Sequence, residues 1–115
     1  MQQLLSIQLE RLKKYLERDK TGMRREILKI LLDKKEVTSE YLYAQIGGKY
    51  RKTKRSFAAI LGLLVVRLGM LKRNEKSGLI CYSLKQDFRD VVKEVLKRYE
   101  YDEEHSDDKI KRLWN

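Results

Sequence analysis

The chain of 115 residues contains no proline and only six glycines, so few positions can stop a helix or reverse the chain, and those few carry most of the boundary information. Nothing interrupts the stretch from 2 to 19, where Leu5, Leu9, Leu12 and Leu16 recur at spacings of four, three and four. That spacing predicts an amphipathic helix as an amino-terminal unit over 1–19. A break at 19–22 precedes a second helical pattern over 23–34, with Ile27, Leu28, Leu31 and Leu32 inward. Residues 36–38 suffice only for an isolated β-bridge. Thr38 or Ser39 is a good cap for a helix over 40–46, with Leu42 and Ile46 inward and Tyr43 beside them. Gly47 and Gly48 then end that helix, as residues tolerant of the left-handed region do.

A short basic connection, 49–52, leads to Thr53, which caps the helix 53–68, and Gly69 stops it. Phe57, Ile60, Leu61, Leu64 and Leu68 form its inward stripe, and Lys54, Arg55, Ala58, Ala59, Gly62 and Val66 lie opposite. Two β-prone runs, 70–73 and 79–84, flank a turn-rich connector at 74–78 and predict a hairpin. A last helix over 86–101 places Phe88, Val92, Val95 and Tyr99 on one side, flanked by Val91 and Leu96. The remaining 102–115 reads as a mobile tail, acidic and then basic, since residues 100–108 hold six acidic side chains and no basic one. This order defines a mainly α chain with a small β-hairpin. A hairpin placed directly after the third helix points to a winged helix-turn-helix over 20–85, with extra amino- and carboxy-terminal helices.

Charge offers a test independent of topology. Lysine and arginine number 27 against 17 aspartate and glutamate, a net charge of +10 that favours a polyanionic partner. From 49 to 73 there are eight basic residues and no acidic one, over the turn, the third helix and the first wing strand. In a winged helix these elements face double-stranded DNA, with helix 53–68 in the major groove and hairpin 70–84 as the wing. Thr53, Lys54, Arg55 and Ser56 occupy the first turn, where free backbone N–H groups favour phosphate and side chains reach base edges. Arg55 has the planar fork that matches guanine O6 and N7, and Lys54 suits a phosphate clamp. Ala59, like Ala58 and Gly62, allows close approach, although Gly62 is equally suited to seating another helix. Lys49, Arg51 and Lys52 are expected on phosphates, with Lys72, Arg73 and Lys76 doing the same from the wing. Tyr50 is either a core wedge or a phosphate contact, and Arg67 serves either phosphate or its own helix's carboxy-terminal dipole.

Residues 18–84 also resemble a family of uncharacterised archaeal winged-helix proteins, a domain of unknown function. The resemblance rests on Arg18-Asp19-Lys20-Thr21-Gly22-Met23-Arg24-Arg25-Glu26-Ile27-Leu28, on Thr53-Lys54-Arg55-Ser56-Phe57-Ala58-Ala59-Ile60-Leu61-Gly62, and on Leu68-Gly69-Met70-Leu71-Lys72-Arg73 with Tyr82-Ser83-Leu84. It implies a winged helix and DNA binding, with no assigned target. The short wing and the acidic tail depart from that pattern.

Catalytic chemistry finds no purchase. Gly47-Gly48-Lys49 lacks the first glycine and the hydroxyl residue of a P-loop, and the sole histidine, His105, sits in the tail with no nucleophile to serve. Cys81 is the only cysteine, so no intramolecular disulfide forms, no metal set has ligand spacing, and no cofactor is expected. The longest apolar run, 57–66, is about half a membrane crossing, and no secretory leader begins the chain, so a cytoplasmic, nucleoid-associated protein is expected. The seams Leu5, Leu9, Leu12, Leu16 and Phe88, Val92, Val95, Tyr99 either pack on their own domain or pair two subunits. Pairing would place two recognition helices about 34 Å apart on an inverted repeat. The leading reading is a dimeric, sequence-specific transcriptional regulator. The others are a protein- or RNA-docking module in a nucleic-acid-processing assembly, in which the tail meets a protein partner, and a non-specific architectural DNA-binding protein.

Overall fold

A computed structural model describes residues 2–98, with side chains from Ser6 onward. The side chain of Leu5, Tyr99 and the tail with His105 lie outside the described residues. The elements are α1 (Gln2–Glu17), α2 (Met23–Asp33), β1 (Val37–Thr38), α3 (Ser39–Leu42, widening into a π-helical turn at Tyr43–Gly47), α4 (Lys54–Leu68), β2 (Leu71–Lys76) and β3 (Leu79–Leu84). A 3-10 turn at Gln86–Phe88 then leads into α5, which covers 89–98.

Asp19 explains why α2 starts where it does. Its carboxylate accepts from the backbone N–H groups of Gly22, Arg24 and Arg25 and from Arg25 Nε, all at 3.1–3.3 Å. One buried anion thus satisfies three of the four orphan donors at the start of α2, with Met23 N–H going to Thr21 Oγ1 at 3.3 Å, and lies at its positive end. At the other end Arg89 donates to the carbonyls of Leu31 and Leu32, placing a cation on the last turn of α2 and fastening α5 to it.

The strands form one antiparallel sheet in the order β1-β3-β2, with Val37 opposite Tyr82 and Leu71 opposite Leu84. Residues 36–38, expected as an isolated bridge, therefore supply a third strand. The expected connector 74–78 is also shorter than anticipated. Asn74, Glu75 and Lys76 continue β2, and only Ser77 and Gly78 turn, both at positive φ (52° and 79°). Two consecutive left-handed residues match the twist of a tight hairpin, which lets the ladder run to its end.

Gly47 and Gly48 do not end α3 in the expected way, since Gly48 is right-handed (φ −67°). The left-handed position falls on Arg51 (φ 56°). Lys52 N–H donates to Gly47 O at 2.9 Å and Arg51 N–H to Gly48 O at 3.1 Å, the paired bonds of a Schellman cap. Gly47 is required for a different reason: a Cβ there would sit 2.2 Å from the Tyr43 ring. That ring packs edge-on against Phe57 at 5.8 Å, and its hydroxyl donates to Lys52 O at 3.0 Å, tying α3 to the turn.

All five helices and the sheet share one core. Leu12, Leu28, Leu42, Leu61 and Val92 are among its fully buried members, and Ile60 lies half-buried at its edge. Leu12, Leu16, Phe88, Val92 and Val95 are each at most 7% exposed within the single chain, and Leu9 packs against the same cluster. Of the two expectations for these seams, the described members follow packing on their own domain: α1 lies on α4, with Gln8 over Gly69, and Leu12, Leu16, Phe88, Val92 and Val95 face the core, while the Leu5 side chain and Tyr99 lie outside the described residues. α1 packs on α4, whereas Arg89 at the start of α5 bonds to the end of α2, and their buried residues join one cluster. Among the described residues no helix is long and apolar enough to cross a membrane.

Candidate nucleic-acid interface

The Thr53 side chain accepts from Ser56 N–H at 3.1 Å, as a helix N-cap does. That single cap leaves other first-turn N–H groups facing outward, in a turn with no acidic residue. Thr53, Lys54, Arg55 and Ser56 are all exposed, as are Ala58 and Ala59. A Cβ on Gly62 would meet nothing within 4 Å, so Gly62 does not seat another helix of this chain. Between α3 and α4 a cleft opens, floored by Phe57 and Leu61 and edged by Glu40, Tyr43 and Lys54.

The flanking cations divide into two groups. Lys49 Nζ lies 2.6 Å from Glu26 Oε1, and the Tyr50 hydroxyl donates to the same oxygen at 2.6 Å. These two hydrogen bonds, Lys49's the stronger influence, hold the Glu26 carboxyl below its ordinary range. Desolvation and the bond to Glu26 push the Tyr50 hydroxyl up to about 12. Tyr50 therefore packs on the core edge as a neutral donor. Lys76 is likewise held by Glu36 at 2.8 Å. Arg51, Lys52, Lys54, Arg55, Lys72 and Arg73 have no carboxylate within ion-pair distance among the described residues. A salt bridge already in place must be broken, or shared, before its cation can serve a phosphate.

The hairpin does not bring its cations together. Alternation along β2 puts Lys72 and Lys76 on one face and Arg73 on the other, opposite Tyr82. Lys72 borders a cleft with Lys35, Gln86 and Arg89. Cys81 is buried, its thiol directed at Leu79 O, as befits a structural cysteine. Sequence reasoning missed Asp19 as a cap, the Glu26–Lys49–Tyr50 trio and the Glu36–Lys76 pair. The partners are 23 to 40 residues apart, a separation that no local pattern encodes. It also missed that Arg11, Lys14 and Arg18, at spacings of three and four, line one cleft with Arg67.

Comparison with solved structures finds the homodimeric winged helix-turn-helix DNA-binding domain of a Mycobacterium bovis protein, a possible ArsR-family transcriptional regulator. The two superpose with a TM-score of 0.65 at 21% identity, over 90% of this chain and 89% of that one. At that identity the likeness establishes the fold, which is a winged helix-turn-helix. An uncharacterised protein of Archaeoglobus fulgidus is 39% identical over 93 residues, 78% of this chain and 93% of that protein. A family model described as protein of unknown function (DUF2551) matches residues 12–92, from the middle of α1 into α5, and the chain therefore belongs to the DUF2551 family.

Proposed function

We propose that this chain is a non-enzymatic, sequence-specific binder of double-stranded DNA that acts as a dimeric transcriptional regulator in the cytoplasm. The observation that carries the reading is the first turn of α4. It is capped by Thr53, free of acidic residues, and presents Lys54, Arg55 and Ser56 to solvent beside Arg51 and Lys52, which have no ion pair among the described residues. In this reading α4 enters the major groove, where Arg55 takes a guanine through O6 and N7 and Ala59 lets the helix approach. Lys49, Arg51, Lys52 and Lys54 contact phosphates, as do the N–H groups near Thr53 and Ser56. Lys72, Arg73 and Lys76 engage the backbone from the hairpin.

The dimer is supported by the homodimeric state of the similar Mycobacterium bovis domain. Since Leu12, Leu16, Phe88, Val92 and Val95 are buried in the single chain, a two-fold contact has to draw on other side chains. A pure sample that sediments as a monomer at micromolar concentration contradicts the dimer.

Fluorescence titration of random duplex DNA, the protein's own promoter and an RNA duplex across a salt series tests the DNA reading. Neutralising about five to eight phosphates predicts a log–log slope of about −4 to −7. Tighter binding to the promoter is the expected result, and a flat salt response contradicts nucleic-acid binding. Arg55→Ala relaxes specificity at one base pair, at a cost of about 1–3 kcal/mol, while Lys52→Ala weakens all sequences alike.

One observation favours a second reading, a winged helix used for protein docking. Leu63 and Val66 are 52% and 79% exposed on α4, so beyond its first turn the helix offers apolar rather than base-reading side chains. Binding indifferent to DNA sequence combined with loss of a protein contact in Val66→Asp supports that reading.

A further inference from the structure

A second concentration of positive charge lies at the opposite end of α4 from Lys54, about 20 Å along the helix at 1.5 Å per residue. Arg11 and Lys14 from α1, Arg18 from the turn after it, Arg24 from α2 and Arg67 from α4 border one cleft of about 200 Å3 beside Tyr15. Four of these cations are exposed and Arg24 is half-buried. None has a carboxylate within ion-pair distance among the described residues. Of the acids close by in sequence, Asp19 serves the α2 backbone and Arg25, Glu10 pairs with Lys13 at 3.8 Å, and Glu17 is exposed to solvent.

The cleft is also organised. Arg24 lies 4.4 Å over the Tyr15 ring and donates through Nη1 to Tyr15 O at 2.8 Å. The guanidinium is thus fixed by stacking and one bond, while its other donors remain available. Burial raises the Tyr15 hydroxyl, Arg24 pulls it down, the Asp19 carboxylate raises it further and Arg67 lowers it, and the net upward shift keeps it a protonated donor at the same place. Five cations border this one cleft, none of them in an ion pair among the described residues, and an anion seated among them relieves their mutual repulsion.

We infer that the cleft between α1, α2 and the end of α4 is a binding site for a phosphate-bearing anion, with the stacked Arg24 and the exposed Arg67 as its two jaws. At about 200 Å3 it is smaller than an ordinary cleft for a drug-sized ligand, roughly 300–1,000 Å3, and suits one or two phosphoryl groups. Their source is either a free phosphorylated molecule or a nucleic-acid backbone. The site does not depend on the DNA reading of the other end of α4.

Thermal denaturation of the full chain in millimolar inorganic pyrophosphate, against sodium chloride of matched ionic strength, tests the site, alongside duplex titration across salt. Arg18→Gln/Arg67→Gln removes two exposed cations without disturbing the Arg24–Tyr15 stack, and Lys54→Gln/Arg55→Gln is the control. For a free phosphorylated ligand, pyrophosphate raises Tm by several degrees in the wild type and the control, and by less than half as much in Arg18→Gln/Arg67→Gln. For a nucleic-acid backbone, pyrophosphate has no effect, but Arg18→Gln/Arg67→Gln lowers the magnitude of the duplex salt slope by about 1.8. The inference is overturned if neither response occurs, or if the pyrophosphate shift is unchanged in Arg18→Gln/Arg67→Gln. Pyrophosphate protection without any duplex binding sinks the DNA reading and leaves this site standing.

Discussion

Arg51 occupies the left-handed position of a helix cap that glycine fills at little cost. A non-glycine residue there is strained, and strain of this kind is retained where the side chain is needed. Arg51→Gly is therefore expected to raise stability to urea by up to about 1 kcal/mol while weakening duplex binding and reducing the magnitude of the salt slope by about 0.9. A loss of stability would show that the guanidinium holds the fold instead. Glu26 is the other decisive residue, because it occupies Lys49 and Tyr50 together. Glu26→Gln releases Lys49 for phosphate, so duplex affinity rises. The same pair carries a pH dependence. The carboxyl titrates lower when folded than when unfolded, so its contribution is complete above the unfolded value near 4.5 and is lost as pH falls through the lower folded value. Lys49 is 60% exposed, which limits the contribution to about 0.2–1 kcal/mol. Melting curves of wild type and Glu26→Gln should differ at pH 6 and converge in acid.

At the level of elements, the helices were readable because their apolar spacing and caps are local. Thr38 and Thr53 cap as expected, and Gly69 closes α4 in the left-handed region. What the spacing of Leu12 and Leu16 could not decide was the identity of their neighbour, since an apolar stripe is equally suited to its own core and to a second subunit. The structure places α1 on its own core, so Leu12→Ala should destabilise the monomer by about 2–5 kcal/mol. Chemical denaturation across protein concentrations checks this. A stability loss that vanishes on dilution would return Leu12 to an interface between copies. The sheet was only half readable, because β1 has two residues and acquires its identity by pairing with β3. The end of α3 was misread because Gly47 answers to Tyr43, four residues earlier, and not to a turn.

For the whole molecule, the net charge of +10 resolves into separate surfaces at the two ends of α4. The first, around Arg51, Lys52, Lys54 and Arg55, was visible in the sequence as an unbroken basic run. The second was not, because Arg24 and Arg67 reach the α1 cations only after folding. Lys49 and Lys76 were visible as basic residues, but their partners Glu26 and Glu36 were not, so the unpaired charge available to a phosphate backbone is smaller than the run implies. The proposal that the first surface meets DNA is tested most directly by mapping backbone amide NMR shifts on titration with a short duplex. The largest changes are expected on residues 49–56, with smaller ones on 72–76. Changes confined to the Tyr15 cleft, or to the apolar face at Leu63 and Val66, would contradict it.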